Sequence, residues 1–105
     1  MRMPRKNSKR KSRLTPGTHL RAARLALRFT LRDVEAKTID IAVELKEPRF
    51  TIPFARLHEL EAARSLPNIF RLYALSRVYK QTILEILRWY RIPVPSGNPD
   101  RHDEL

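Results

Sequence analysis

The chain has 105 residues, of which 42% are apolar, and can therefore bury one modest core. It contains no cysteine, which excludes disulfide bonds and thiolate metal sites. The formal net charge is +11, and residues 1–14 carry seven basic residues and no acidic one. Such a balance suits a polyanionic partner such as DNA, RNA or an acidic membrane surface. A basic arm that only aids solubility is the plain alternative.

Eight prolines divide the chain and leave three Pro-free windows, 17–47, 54–66 and 68–92, in which helices can form. Strand-like alternation of apolar and polar residues is absent. We therefore predict an all-α domain of five helices over residues 16–92, between a disordered basic arm (1–15) and a flexible tail (93–105). No apolar run approaches the roughly 18 residues of a membrane span, and no signal peptide is recognisable, so we expect a cytoplasmic protein without a membrane partner.

The first two helices have clear start signals. The first is predicted to follow the N-cap Thr18 and to end near Arg28. The second is predicted to begin at Thr30, with Asp33 completing a capping box, and to end before Pro48. The residues expected to face the core from these helices are Leu20, Ala23, Leu27, Leu31, Val34, Ile41 and Leu45.

Three shorter helices follow. The third is predicted to begin near Pro53, a residue favoured in a first turn, and the fourth near Asn68. The fifth is predicted to begin at Thr82, with Glu85 completing a second capping box. Their expected core residues are Leu57, Leu60, Ile69, Leu72, Leu75, Ile83, Leu84 and Leu87.

Four stretches within Leu20 to Ile92 occur in the order of a known family. They are TLRDVE from Thr30, RLHELE from Arg56, PNIFRLYALSRVY from Pro67 and ILRWY from Ile86. Together they resemble the phage Cro/repressor-like helix-turn-helix family, also called the xenobiotic-response-element type. The resemblance implies a lambda-repressor-like fold and a DNA-binding transcriptional regulator associated with the bacterial nucleoid.

The resemblance also implies roles for individual residues. The third helix, about 53–63, would dock in the major groove of double-stranded DNA. Arg24 and Glu61 match a family pair that forms an ion pair between helices. The expected base contacts are Phe54, Ala55, His58 and Glu59. The expected phosphate contacts are Thr30, Arg32, Arg49, Arg56 and the basic arm.

The chain departs from the family pattern at three places. Arg28 and Pro53 replace a usual Gly and a usual Ser or Thr cap, and Ala62 to Ser65 replace a turn that usually contains Gly. These departures keep open a protein-interaction module such as an antitoxin or adaptor, and the basic arm keeps open a non-specific nucleic-acid binder. A homodimer is compatible with either. The sequence shows no nucleophile–base set and no metal-ligand spacing, so we expect neither an enzyme nor a cofactor.

Overall fold

The computed structural model describes residues 15–62 and 65–93, and within them it contains five α-helices and no strand. The helices are α1 (Pro16–Ala26), α2 (Leu31–Leu45), α3 (Phe54–Ala62), α4 (Ile69–Tyr79) and α5 (Ile83–Trp89), with a 3-10 turn at Pro48–Phe50. The prediction of an all-α domain with five helices is confirmed. None of these helices is long and apolar enough to cross a membrane. The basic arm before Thr15 and the tail after Pro93 lie outside the described residues.

The start of α1 differs from the prediction. Thr15, rather than Thr18, is the N-cap, and its hydroxyl accepts a hydrogen bond from the Thr18 amide at 3.2 Å. The reason is Pro16, whose fixed φ and missing N–H suit the first helical position. Thr15 therefore belongs to the helical domain and not to the arm, and α1 ends at Ala26, two residues before the predicted end.

The remaining helix starts follow local hydrogen bonding. Thr30 and Asp33 form the predicted capping box, with bonds of 2.8 and 3.0 Å. Asn68 caps α4, and Thr82 caps α5 by accepting from the Glu85 amide. The second capping box is incomplete, because the Glu85 carboxylate pairs instead with Arg88 at 3.1 Å.

One core lies between the helices, and of the fifteen predicted core residues six are buried and six are half-buried. The fully buried large side chains are Leu20, Val34, Thr38, Ile52, Leu57, Leu60, Leu75, Tyr79 and Ile86. Three predicted core residues are instead exposed. Leu45 and Ile69 occupy the terminal residues of α2 and α4. Leu84 is exposed because α5 turns the face of Ile86 inward, and Ile86 is not among the predicted core residues.

A buried hydroxyl fixes the segment that leads into α3. The Thr38 side chain on α2 is fully buried, donates to the Glu35 carbonyl and accepts from the Ile52 amide at 3.0 Å. Because both hydrogen-bonding capacities are used, burial of this polar group carries no unpaired cost. The bond ties the residues before α3 to the middle of α2.

The close approach of α1 to α3 requires a glycine. A Cβ atom on Gly17 would lie 2.7 Å from the Glu61 carbonyl carbon and 2.8 Å from the Leu60 carbonyl oxygen. Both are backbone atoms and cannot move aside as a flexible side chain would. Gly17 therefore sets how near the start of α1 comes to the end of α3.

We predict that Gly17→Ala destabilises the domain by about 1–3 kcal/mol, because the added methyl group must push α3 away from α1. Gly→Ala within a helix ordinarily stabilises a protein by roughly 0.5–1 kcal/mol. A decrease in the free energy of unfolding would therefore indicate that the added methyl group meets α3. Urea unfolding followed by circular dichroism measures the change. A variant more stable than the wild type would show that the two helices are not in close contact at this point.

Candidate nucleic-acid interface

The short helix α3 has one buried face and one open face. Leu57 and Leu60 are 2% and 1% exposed and anchor the helix in the core. The predicted reading residues Ala55, His58 and Glu59 are exposed on the other side, as is Arg56. Phe54, at the first position, is half-buried. The helix thus presents a row of side chains that no other part of the described chain covers.

A buried ion pair holds α3 against α1. Arg24 donates from Nε and Nη2 to the two carboxylate oxygens of Glu61, at 2.7 and 2.9 Å. The two side chains are only 10% and 9% exposed. Arg24 also donates to the Phe29 carbonyl at 3.0 Å, so one guanidinium fixes both α3 and the α1–α2 link. The hydrogen bonds to Glu61 raise the pKa of Arg24, and the ion pair implied by the family resemblance is present.

A surface hollow of about 450 Å³ lies where α1, α2 and α3 meet. It brings together three of the predicted contact residues, Thr30, Arg32 and Phe54. Its remaining lining residues are Arg24, Leu25, Arg28, Phe29 and Leu31. Arg49, Arg56 and His58 are not part of this hollow.

The N-terminus of α2 opens beside this hollow, and its capping box already supplies a negative charge. The Thr30 amide donates to the Asp33 carboxylate at 2.8 Å, which lowers the pKa of Asp33 and keeps it ionised. An ionised carboxylate in the first turn satisfies the helix dipole and opposes a second anion. Thr30 therefore acts as a cap, and its predicted phosphate contact, which the Asp33 charge would oppose, stays a prediction.

Arg32 connects α2 with the start of α3. Its guanidinium carbon lies 4.2 Å from the centroid of the Phe54 ring, a cation–π distance. Its nearest carboxylate, Glu35, is 3.7 Å away, too far for a hydrogen bond. The Arg32 side chain is 73% exposed, so its donors face solvent.

Arg49, on the 3-10 turn, is paired within its own segment. It donates to both carboxylate oxygens of Glu47 at 3.0 Å and lies 4.1 Å from the Phe70 ring centroid. The hydrogen bonds from Arg49 lower the pKa of Glu47 to about 2, so the carboxylate stays charged at neutral pH. The Glu47 charge offsets that of Arg49, so the predicted phosphate contact of Arg49, which stays a prediction, would have to compete with this pair.

The open face of α3 is electrically balanced. Arg56 and Glu59 form an ion pair at 2.8 Å, three residues apart. Both side chains remain about half exposed, so the pair is easily exchanged for other partners. Positive charge near this face therefore comes from the neighbouring Arg28 and Arg32 rather than from α3 itself.

The three histidines do not form a common site in the described part of the chain. His58 is exposed on α3, and His19 stacks on Trp89 with ring centroids 5.4 Å apart. The third, His102, lies outside the described residues. Within 15–62 and 65–93, no group of three or more His, Asp or Glu side chains is placed to hold a metal ion.

Arg28 was not among the predicted contact residues, although it lies beside them. It lines the hollow, and among the described residues no carboxylate lies within ion-pair distance of it. Its φ of 63° is in the left-handed region that favours glycine. The departure from the family's usual Gly was the available signal, because a non-Gly residue kept in this conformation suggests a use for its side chain.

Comparison with known proteins adds nothing to this geometry. No protein-family model matches the chain. No curated protein and no solved structure is significantly similar to it. The site itself offers exposed donors, one exposed imidazole and a rim of arginines beside a short helix, which suits binding to an anionic surface.

We predict that Arg24→Ala destabilises the domain more than Arg28→Ala does. Loss of Arg24 leaves the Glu61 carboxylate buried and unpaired, which can cost on the order of 3 kcal/mol. Arg28 is exposed, and Ala keeps a Cβ at the same left-handed φ, so its replacement should change stability by less than about 0.5 kcal/mol. Thermal unfolding of the two variants tests this. Equal melting temperatures would contradict a structural role for the ion pair.

Proposed function

We propose that the protein is a DNA-binding transcriptional regulator of the Cro/repressor-like type, which docks α3 in the major groove of double-stranded DNA. The observation that carries the proposal is the fixed, open face of α3. One side of this helix is held by Leu57, Leu60 and the Glu61 ion pair, while its other side is uncovered. A groove-reading helix needs both features, because its side chains must be exposed and its orientation must be rigid.

Affinity would come mainly from cations around this face. Arg28 and Arg32 lie on the hollow next to the start of α3, and Arg56 lies on α3 itself. The seven basic residues of segment 1–14 would add contacts that do not depend on sequence. Arg49 contributes less, because Glu47 neutralises it locally.

Discrimination between sequences would come from the exposed residues of α3. His58 can donate or accept a hydrogen bond, and the Glu59 carboxylate can accept one from the amino group of cytosine. Ala55 is small enough to contact a thymine methyl group. The Arg56–Glu59 pair would open on binding, which costs little for an exposed pair.

Selection of bound sequences from a random duplex pool at near-physiological salt tests the proposal. An enriched motif, bound more tightly than a scrambled duplex at the same salt concentration, is the expected result. Salt must be fixed because non-specific affinity falls steeply as salt rises. Binding without enrichment would favour a non-specific nucleic-acid binder, and no binding to any duplex would overturn the proposal.

We predict that replacing His58 and Glu59 together by Ala lowers affinity for the selected site but not for a scrambled site. Base contacts carry discrimination, and a good direct contact is worth roughly 1–3 kcal/mol. Affinity for the scrambled duplex should hold or rise, because Glu59 also repels phosphate. Paired titrations give the ratio of the two affinities, and circular dichroism checks helical content. An unchanged ratio would exclude these residues as readers.

We predict that Arg28→Gly stabilises the domain while weakening its binding to DNA. Gly relieves the left-handed strain at residue 28, worth about 1 kcal/mol, but removes a cation from the rim of the hollow. Arg21→Gly on α1 is the matched control, because it also removes an exposed arginine but lies within the helix and should destabilise by about 1 kcal/mol. Unchanged DNA affinity of Arg28→Gly would remove Arg28 from the interface.

A protein-interaction module is the second candidate, and the outer face of α2 favours it. Ile39 and Val43 are 42% and 71% exposed and lie four residues apart, on one side of the helix. Exposed apolar side chains in a row are typical of a surface that meets another protein. Measured preference for a protein partner, together with no duplex binding at low salt, would favour this candidate.

A further inference from the structure

Arg32 differs from Arg24, Arg49 and Arg56 in that no carboxylate of the described residues is hydrogen-bonded to its guanidinium. Arg24 is buried and bound by Glu61, while Arg49 is held by two bonds from Glu47. Arg56 is 2.8 Å from Glu59. The Arg32 guanidinium lies 3.7 Å from the Glu35 carboxylate, beyond hydrogen-bonding distance, and the Arg32 side chain is 73% exposed.

The Arg32 guanidinium is nevertheless held in place, because it lies 4.2 Å from the centroid of the Phe54 ring. Phe54 is the first residue of α3 and is half-buried, so the ring is a fixed support. Stacking on an aromatic face leaves the planar edge of a guanidinium, with its parallel N–H groups, free to bind. A donor group that is already positioned loses less conformational entropy when it binds.

The electrostatic surroundings weaken the attraction of this edge for a phosphate. Asp33 is the next residue and its carboxylate is ionised in the capping box of the same helix turn. A second anion beside it would be repelled. A neutral acceptor surface that presents two oxygen or nitrogen atoms side by side does not have this cost.

We propose that Arg32 reads a guanine through its O6 and N7 atoms in the major groove, and that Phe54 is the positioning residue that supports it. This rests on the proposed function, since it assumes that the start of α3 enters the groove. Arg bound by two parallel bonds to guanine is the commonest specific contact between proteins and DNA bases. The roles predicted from the sequence are thereby exchanged: Arg32 becomes a base contact, and Phe54 supports it instead of touching a thymine methyl group.

The test uses the full chain and the duplex that the wild type selects from a random pool. Affinities of wild type, Arg32→Lys and Phe54→Leu are measured for this duplex and for duplexes in which each guanine is replaced in turn. Lys keeps the positive charge of Arg32 but lacks the planar fork. Arg88→Lys is the matched control, because Arg88 is also exposed and pairs with a glutamate three residues away, on α5.

We expect one guanine position at which the wild type discriminates by about tenfold or more, and at which Arg32→Lys loses that discrimination. Phe54→Leu should lose it at the same position only, and Arg88→Lys should keep it. Melting temperatures of all variants separate this loss from unfolding.

Two results would overturn the inference and leave the proposed function standing. One is a selected site without a required guanine. The other is an Arg32→Lys variant whose affinity is unchanged or falls by the same factor for every duplex. A uniform fall is what the loss of a phosphate contact would produce. A wild-type chain that selects no sequence overturns both the proposed function and this inference.

Discussion

The arrangement of α3 depends on the buried ion pair between Arg24 and Glu61. A helix of nine residues is marginal by itself, so its orientation has to come from tertiary contacts. Core packing of Leu57 and Leu60 holds its inner face, but the hydrophobic effect is non-directional. The bidentate pair fixes the end of α3 with directional bonds, and the Arg24 bond to the Phe29 carbonyl fixes the start of α2 in the same frame. Any function of the open face therefore depends on a pair that does not itself face solvent.

Charge pairing divides the described surface into neutral and positive parts. The outer face of α3 is balanced by the Arg56–Glu59 pair, and the 3-10 turn by Glu47 with Arg49. Positive charge beside α3 is concentrated at Arg28 and Arg32. For a DNA-binding protein such a division would separate two tasks. Arg28 and the cations of segment 1–14 would supply affinity, while Arg32 and the nearly neutral face of α3 would provide discrimination through specific contacts.

The helix count and most helix starts could be predicted because they depend on local chemistry. Prolines bound the helical windows, and the caps Thr30, Asn68 and Thr82 act on amides only three residues away. Tertiary relations were harder. The Arg24–Glu61 pair spans 37 residues and was found through family resemblance rather than spacing. The close approach at Gly17 and the stack of Arg32 on Phe54 depend on how helices meet, which no local pattern encodes. In α5 the buried face could not be predicted either, because a helix of seven residues is too short to show a clear apolar periodicity.

Four helices are followed by a basic residue in the left-handed conformation that usually favours glycine. Within residues 15–62 and 65–93, the non-Gly residues with left-handed φ are all cations, namely Arg28, Lys46, Lys80 and Arg91, and they follow α1, α2, α4 and α5. Each costs on the order of 1 kcal/mol relative to Gly, and the attraction of a cation to the carbonyl end of a helix returns only part of this. This interaction favours a basic residue at all four positions but does not by itself offset the strain. Arg28 also lines the hollow beside the first residue of α3. An arginine at this strained position would therefore place a positive charge next to an anionic ligand bound at that face.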